Sequence, residues 1–254
     1  MDLAQFVGGQ VFAFLLIFVR VGSALLILPT FGEAFVPTQI RLLFALLLSL
    51  LLVPVVGPSL PPQPAAPGEL VLLILGELLV GLFIGSIARM LMSALETAGF
   101  MISQQLGLSA AQSFNPALAA PGNPAGALMG VMALVLILAT DLHHMLLLAV
   151  ADSYTLFEPG RPMPLSDMSE HIVRVFAKSF EIGIQLSMPF VVLALLFFLG
   201  LGLIARLVPQ IQVFFVGLPL QILLGTLLFA GSLSALLLFW LRHFEDQLIQ
   251  MLRP

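Results

Sequence analysis

Three ionisable side chains stand inside otherwise apolar stretches: Arg20, Glu77 and Asp141. A charge surrounded by hydrocarbon is costly, so such a group is held there by a partner or by a task. Glu77 and Asp141 could serve as the coupling carboxylates of a transporter. Equally, the three groups could pair with one another inside an assembly, or lie nearer the surface than the hydropathy implies. His143 and His144 follow Asp141 directly and raise the question of a metal. Neighbouring helical residues are turned by about 100°, so the two imidazoles are expected on different faces, and only Asp141 and His144 meet at i, i+3. No metal site and no cofactor are expected. The chain has no cysteine, which removes thiolate chemistry, disulfides and Cys-based zinc. No Ser, His and Asp arrangement, phosphate-binding glycine loop or HExxH motif occurs either, so catalysis is not expected.

The elements that must position these residues are strongly apolar. Hydrophobic residues make up 60% of the 254, charged residues 9%, and mean hydropathy is +1.15. That is more apolar surface than one soluble core can hide, and it marks a membrane protein or part of a membrane assembly. The formal charge of −4 comes from scattered groups with no basic run, so nucleic acid is not an expected partner. Asp2 occupies the place where a secretory leader carries Lys or Arg, and the first apolar run is expected to be retained. A single Trp240 and a single Tyr154 stand against 21 Phe. The usual interfacial belt of Trp and Tyr is missing, which points to apolar surface meeting protein instead of lipid.

Six apolar segments can be drawn. Phe6 to Phe31 is broken by Arg20 and ends in the turn-forming LPTFGEAFVP. Leu42 to Val56 gives roughly 22 Å of helix at about 1.5 Å per residue, short of a hydrocarbon core of roughly 30 Å. The uncharged, proline-rich linker Gly57 to Gly68 follows and should be extended. Leu70 to Ala88 carries Glu77, with Gly81 and Gly85 spaced for close approach by another helix, and continues through Arg89 and Glu96. Ala125 to Ala151 is interrupted by Asp141, His143 and His144. Asp167 with Glu170 three residues on reads as an N-cap and capping box. From there a charged stripe of Asp167, Glu170, His171, Arg174, Lys178 and Glu181 runs along one face of a helix that should extend, with a kink at Pro189, to Ala205. The hairpin ARLVPQIQ leads into Ile211 to Leu241, which has no charge. Lys and Arg are distributed too evenly for a firm orientation.

Between the third and fourth segments lies Ser103 to Pro124, uncharged, rich in small residues, and broken by Pro116, Pro121 and Pro124. A water-facing loop normally carries charge, and a span cannot hold so many breakers, so this stretch should pack inside protein. It either obstructs a passage formed with other chains or is a tight connection between two helices.

At RLVPQIQVFFVGLP, Arg206 to Pro219, the chain resembles the FliR family, the R subunits of type III export gates. RVGSALLILPTFGEAFVPTQIRLLFA from Arg20, GELLVGLFIG from Gly76, GFMISQQLGLSAAQSFNP from Gly99 and DLHH from Asp141 agree in order, so the resemblance covers nearly the whole chain. It implies an all-α subunit of membrane-associated helical hairpins with long kinked helices. Residues 1–166 would form a FliP-like part and 167–254 a FliQ-like helical hairpin. The implied partners are FliP and FliQ in one hetero-oligomer, FlhB docked on it, and unfolded export substrates. The implied location is the flagellar basal body at the bacterial inner membrane, with much of the gate above the membrane plane. The family's central loop acts as a plug, which carries over to Leu106 to Pro124, with Leu106, Gly107, Phe114, Asn115, Pro116, Gly122 and Gly126 as gate residues and Phe114 as the stopper. Arg206, Pro209, Gln210, Gln212, Gly217 and Pro219 would make subunit contacts. Virulence-associated injectisomes share the pattern, and a self-contained transporter using Glu77 and Asp141 is the further alternative.

Overall fold

The computed structural model describes residues 3–108, 123–208 and 213–252, and among them every regular element is helical. The elements are α1 (Leu3–Ile27), α2 (Thr38–Val56), a short 3-10 turn (Gly57–Ser59), α3 (Pro67–Gln105), α4 (Pro124–Ala139), α5 (Leu142–Leu156), α6 (Leu165–Leu207) and α7 (Val213–Leu252). The all-α expectation holds. Among the described residues five helices are long and apolar enough to cross a membrane, and α4 with α5, bent by 76° at their break, makes a sixth if counted as one span.

Several boundaries differ from the sequence reading. Arg20 does not interrupt α1, because its charge is neutralised and its donors are satisfied within the fold. α2 begins at Thr38, directly after Pro37, and so gains a turn over the apolar run alone; Thr38 and Gln39 are exposed in that turn, and half-buried Arg41 donates to the Glu33 carbonyl at 2.9 Å. α6 begins at Leu165, which puts Asp167 inside the first turn and not at the N-cap. There the Pro164 carbonyl already accepts the Met168 N–H at 3.0 Å, and the carboxylate acts on the exposed amides of the helix start through charge. The chain stays helical through Pro54, Pro189 and Pro219.

The chain forms two compact units, interleaved along the sequence. The first comprises Met1–Leu91, Ile137–Val175 and Phe244–Pro254. In it α1 packs on α2, with Phe31 and Phe44 stacked at 5.2 Å, and α3 crosses α1 at glycines. A Cβ on Gly81 would collide with Ser23 Oγ and the Arg20 carbonyl, and one on Gly85 would stand 2.9 Å from the Ala24 carbonyl. The close approach expected at these glycines is present, and it sets Glu77, one turn earlier on α3, beside Arg20. Leu16, Ile17, Val21, Leu25, Ile84 and Ile87 close the core around them.

The second unit comprises Met92–Leu136 and Phe176–His243. Gly99 on α3 faces the backbone of Gly126 on α4, leaving no space for a Cβ. Gly183 on α6 stands where a Cβ would lie 3.0 Å from the Ala94 carbonyl. Phe190 and Phe229 meet edge to face at 6.1 Å. The stripe on α6 runs through parts of both units: in the first, Arg174 pairs with Glu170 at 3.7 Å and His171 is half-buried, and in the second, Lys178 pairs with Glu181 at 3.0 Å.

Candidate functional site

Arg20 is the best-defined polar centre of the first unit. Its side chain is 1% exposed and that of Glu77 2% exposed. Nε donates to Glu77 Oε2 at 2.6 Å and Nη2 to Oε1 at 2.9 Å, a bidentate fork. Nη1 donates to Ser153 Oγ at 3.1 Å, and Nη2 also reaches the Phe157 carbonyl at 2.9 Å. The Tyr154 ring lies 4.0 Å from the guanidinium carbon, a cation–π contact. Three helices, α1, α3 and α5, therefore converge with the residue that follows α5 on one cation. Arg is the residue for this position because its planar fork satisfies a carboxylate, a hydroxyl and a carbonyl together. Ser153 and Tyr154 were not legible as partners from sequence, since nothing in an apolar run marks which Ser or Tyr faces a charge more than a hundred residues away.

Beside the pair opens a cavity of about 620 Å³, lined by Arg20 and Glu77, by Pro61 and Pro64 of the linker, and by the turn from Leu156 to Pro164. Gly160, at φ +83°, takes the left-handed turn there and packs against Pro61.

Asp141 is not part of this centre. It lies at the break between α4 and α5 with its side chain 77% exposed, the position nearer the surface that the sequence left open: the apolar run is two helices with a polar corner between them, and Asp141 occupies that corner in the left-handed conformation, φ 59°. The expectation that His143 and His144 diverge is also corrected. Their ring centroids are 4.1 Å apart, and one donor atom from each of Asp141, His143 and His144 lies within 4.8 Å of the others. In the first turn of a helix no preceding turn blocks the side chains, which lets adjacent rings lean together.

In the second unit the ends of the central segment are fastened by polar contacts. Pro124 at the first position of α4 has no N–H; the Ala125 N–H donates to Ser103 Oγ at 3.3 Å and the Gly126 N–H to Asn123 Oδ1 at 2.9 Å. Asn123 is thus a helix N-cap, and its Nδ2 donates to the Glu96 carbonyl at 2.7 Å. The pair Asn-Pro at a helix start was a signal available in the sequence. At the other end, Leu106 is buried against Gly225, and Gln221 Nε2 donates to the Gln105 carbonyl at 2.8 Å, closing the C-terminus of α3. Gly107 turns the chain at φ +73° with Leu218 and Gln221 alongside. Gly126, named among the gate residues, stands in the first turn of α4 as a close-packing position.

Phe114, Asn115, Pro116 and Gly122 lie outside the described residues, as do Pro209, Gln210 and Gln212. Arg206 is exposed in the last turn of α6; Gly217 is buried against Leu201; Pro219 is exposed within α7.

Helices of this length and apolarity, crossing at glycines around a buried ion pair, define a multi-helix membrane protein. The model of the family described as bacterial export proteins, family 1, matches residues 11–247. The chain belongs to this export family, that of flagellar biosynthetic protein FliR. It is 40% identical to the flagellar biosynthetic protein FliR of Caulobacter vibrioides over 94% of this chain and 95% of that one. Identity to FliR of Bacillus subtilis is 33%, over 88% and 87% of the two chains. The Yop proteins translocation protein T of Yersinia pestis is 31% identical over 68% of each chain.

Proposed function

We propose that this chain is the R-type structural subunit of a flagellar protein export gate at the bacterial inner membrane. In this reading it assembles with FliP and FliQ, receives FlhB, and forms a closed channel for unfolded export substrates. Residues 1–166 supply the FliP-like part, and α6 and α7, 43 and 40 residues long, the FliQ-like hairpin. Residues 106–124 act as the plug with Phe114 as its stopper, and Arg206, Pro209, Gln210, Gln212, Gly217 and Pro219 contact other subunits. The observation that carries the reading is 40% identity to a FliR spanning almost the full length of both chains.

Two features of the molecule support it over the transporter alternative. Glu77 is engaged twice by Arg20, and Asp141 is exposed at a helix corner, so neither carboxylate stands free along a buried path. The anchors at Gln105 and Asn123 hold both ends of an uncharged segment, the arrangement a plug needs if it is to move without unfolding its neighbours. The test is complementation: the chain expressed in a FliR-deletion strain restores motility and is recovered with FliP and FliQ. Substrate uptake by the purified chain alone, without co-recovery, contradicts the reading. The Yersinia likeness raises an injectisome role. Rescue of effector secretion but not of motility would favour that role.

A further inference from the structure

We infer that Asp141, His143 and His144 form a binding site for a divalent transition-metal cation of the zinc class at the break between α4 and α5. Each contributes one donor atom, and all three lie within 4.8 Å of one another. A tetrahedral zinc ion at about 2.0–2.2 Å from nitrogen and oxygen ligands holds those ligands about 3.4 Å apart. Closure therefore needs a relative movement of up to about 1.4 Å, shared between the ligands and within the rotamer freedom of side chains as exposed as His144 and Asp141. His144 Nδ1 and Asp141 Oδ1 already stand 3.5 Å apart. The two rings are tilted by 36° with centroids at 4.1 Å, so both can turn a nitrogen to one point.

A second observation is independent of this spacing. His143 Nδ1 is enclosed and has no hydrogen-bond partner among the described residues. A buried polar atom left alone costs roughly 1–3 kcal/mol, and a metal–nitrogen bond supplies the partner it lacks. Two imidazoles and one carboxylate select a borderline cation over calcium or magnesium, which require a shell of oxygens. Three protein ligands leave a place for water. Bound there, the cation staples the corner of the broken span, tying the left-handed residue Asp141 to the first turn of α5.

The experiment uses the full chain in its purified export complex, recovered through a tag without histidine and stripped with chelator, and cobalt(II) as a visible probe. One saturable equivalent of cobalt per chain is expected, displaced by zinc and not by magnesium. His144→Ala and Asp141→Asn should each weaken the affinity at least about tenfold. His243→Ala, at a ring that meets its own helix carbonyl of Phe239, should leave it unchanged. Zinc should also slow hydrogen exchange around residues 139–146 in the wild-type chain alone. A folded complex with no saturable cobalt signal overturns the site. So does an isotherm unchanged in His144→Ala or Asp141→Asn.

Discussion

Arg20 and Glu77 illustrate why a buried ion pair is safer whole than halved. Taking both charges out of water is expensive and their attraction offsets most of that cost, whereas removing one partner strands the other and costs about 3–5 kcal/mol. Arg20→Ala or Glu77→Ala should therefore abolish most of the folded protein in the membrane. Arg20→Met with Glu77→Met should recover a large part of it, since the Ser153 hydroxyl still donates to the Val150 carbonyl at 2.7 Å. Protease resistance of the extracted complex checks both, and a double variant worse than either single one contradicts the pairing. Each charge was visible in the sequence as an intruder in an apolar run, but the pairing was not, because 57 residues separate them and hydropathy holds no distance information. The corner at Asp141 was hidden for the same reason: a continuous apolar run does not announce one.

At the scale of elements, glycine decides where helices cross. Gly81→Val on α3 drives a side chain into Ser23 and the Arg20 carbonyl. It should cost about 1–3 kcal/mol or more and lower abundance sharply. Gly76→Ala in the same helix meets only Met163 Cε at 3.9 Å and should be neutral or stabilising by up to about 1 kcal/mol. Equal loss in both variants contradicts the crossing. Gln221→Leu removes the donor to the Gln105 carbonyl, an unsatisfied group costing about 1–3 kcal/mol. Assembled gates carrying it should leak ions, and tight assembled gates would show that the anchor does not hold the plug. The long helices and the glycine crossing were legible because both follow from local periodicity. Helix starts were less so: Asp167 has the residue type of a cap, yet Pro164 lets the helix begin earlier, and Asn123, the cap that is used, lay hidden in the neutral loop.

The whole molecule presents extensive apolar surface. Leu195, Leu196, Leu199 and Leu203 on α6, and Leu220, Leu223 and Leu227 on α7, are exposed along with Leu50, Leu51 and Val55 on α2. Without lipid or partner chains these faces associate indiscriminately. The chain expressed without FliP and FliQ should aggregate on extraction, and a monodisperse, protease-resistant monomer in mild detergent contradicts this. Composition made that need visible from the start, whereas the partners belong to the function proposed above. The plug assignment is the central claim, and one conductance measurement tests it most directly. Gates lacking Ser109–Ala120 should assemble at near wild-type yield and conduct ions at rest, with Phe114→Ala intermediate. Assembled deletion gates that hold ions as tightly as the wild type would contradict it.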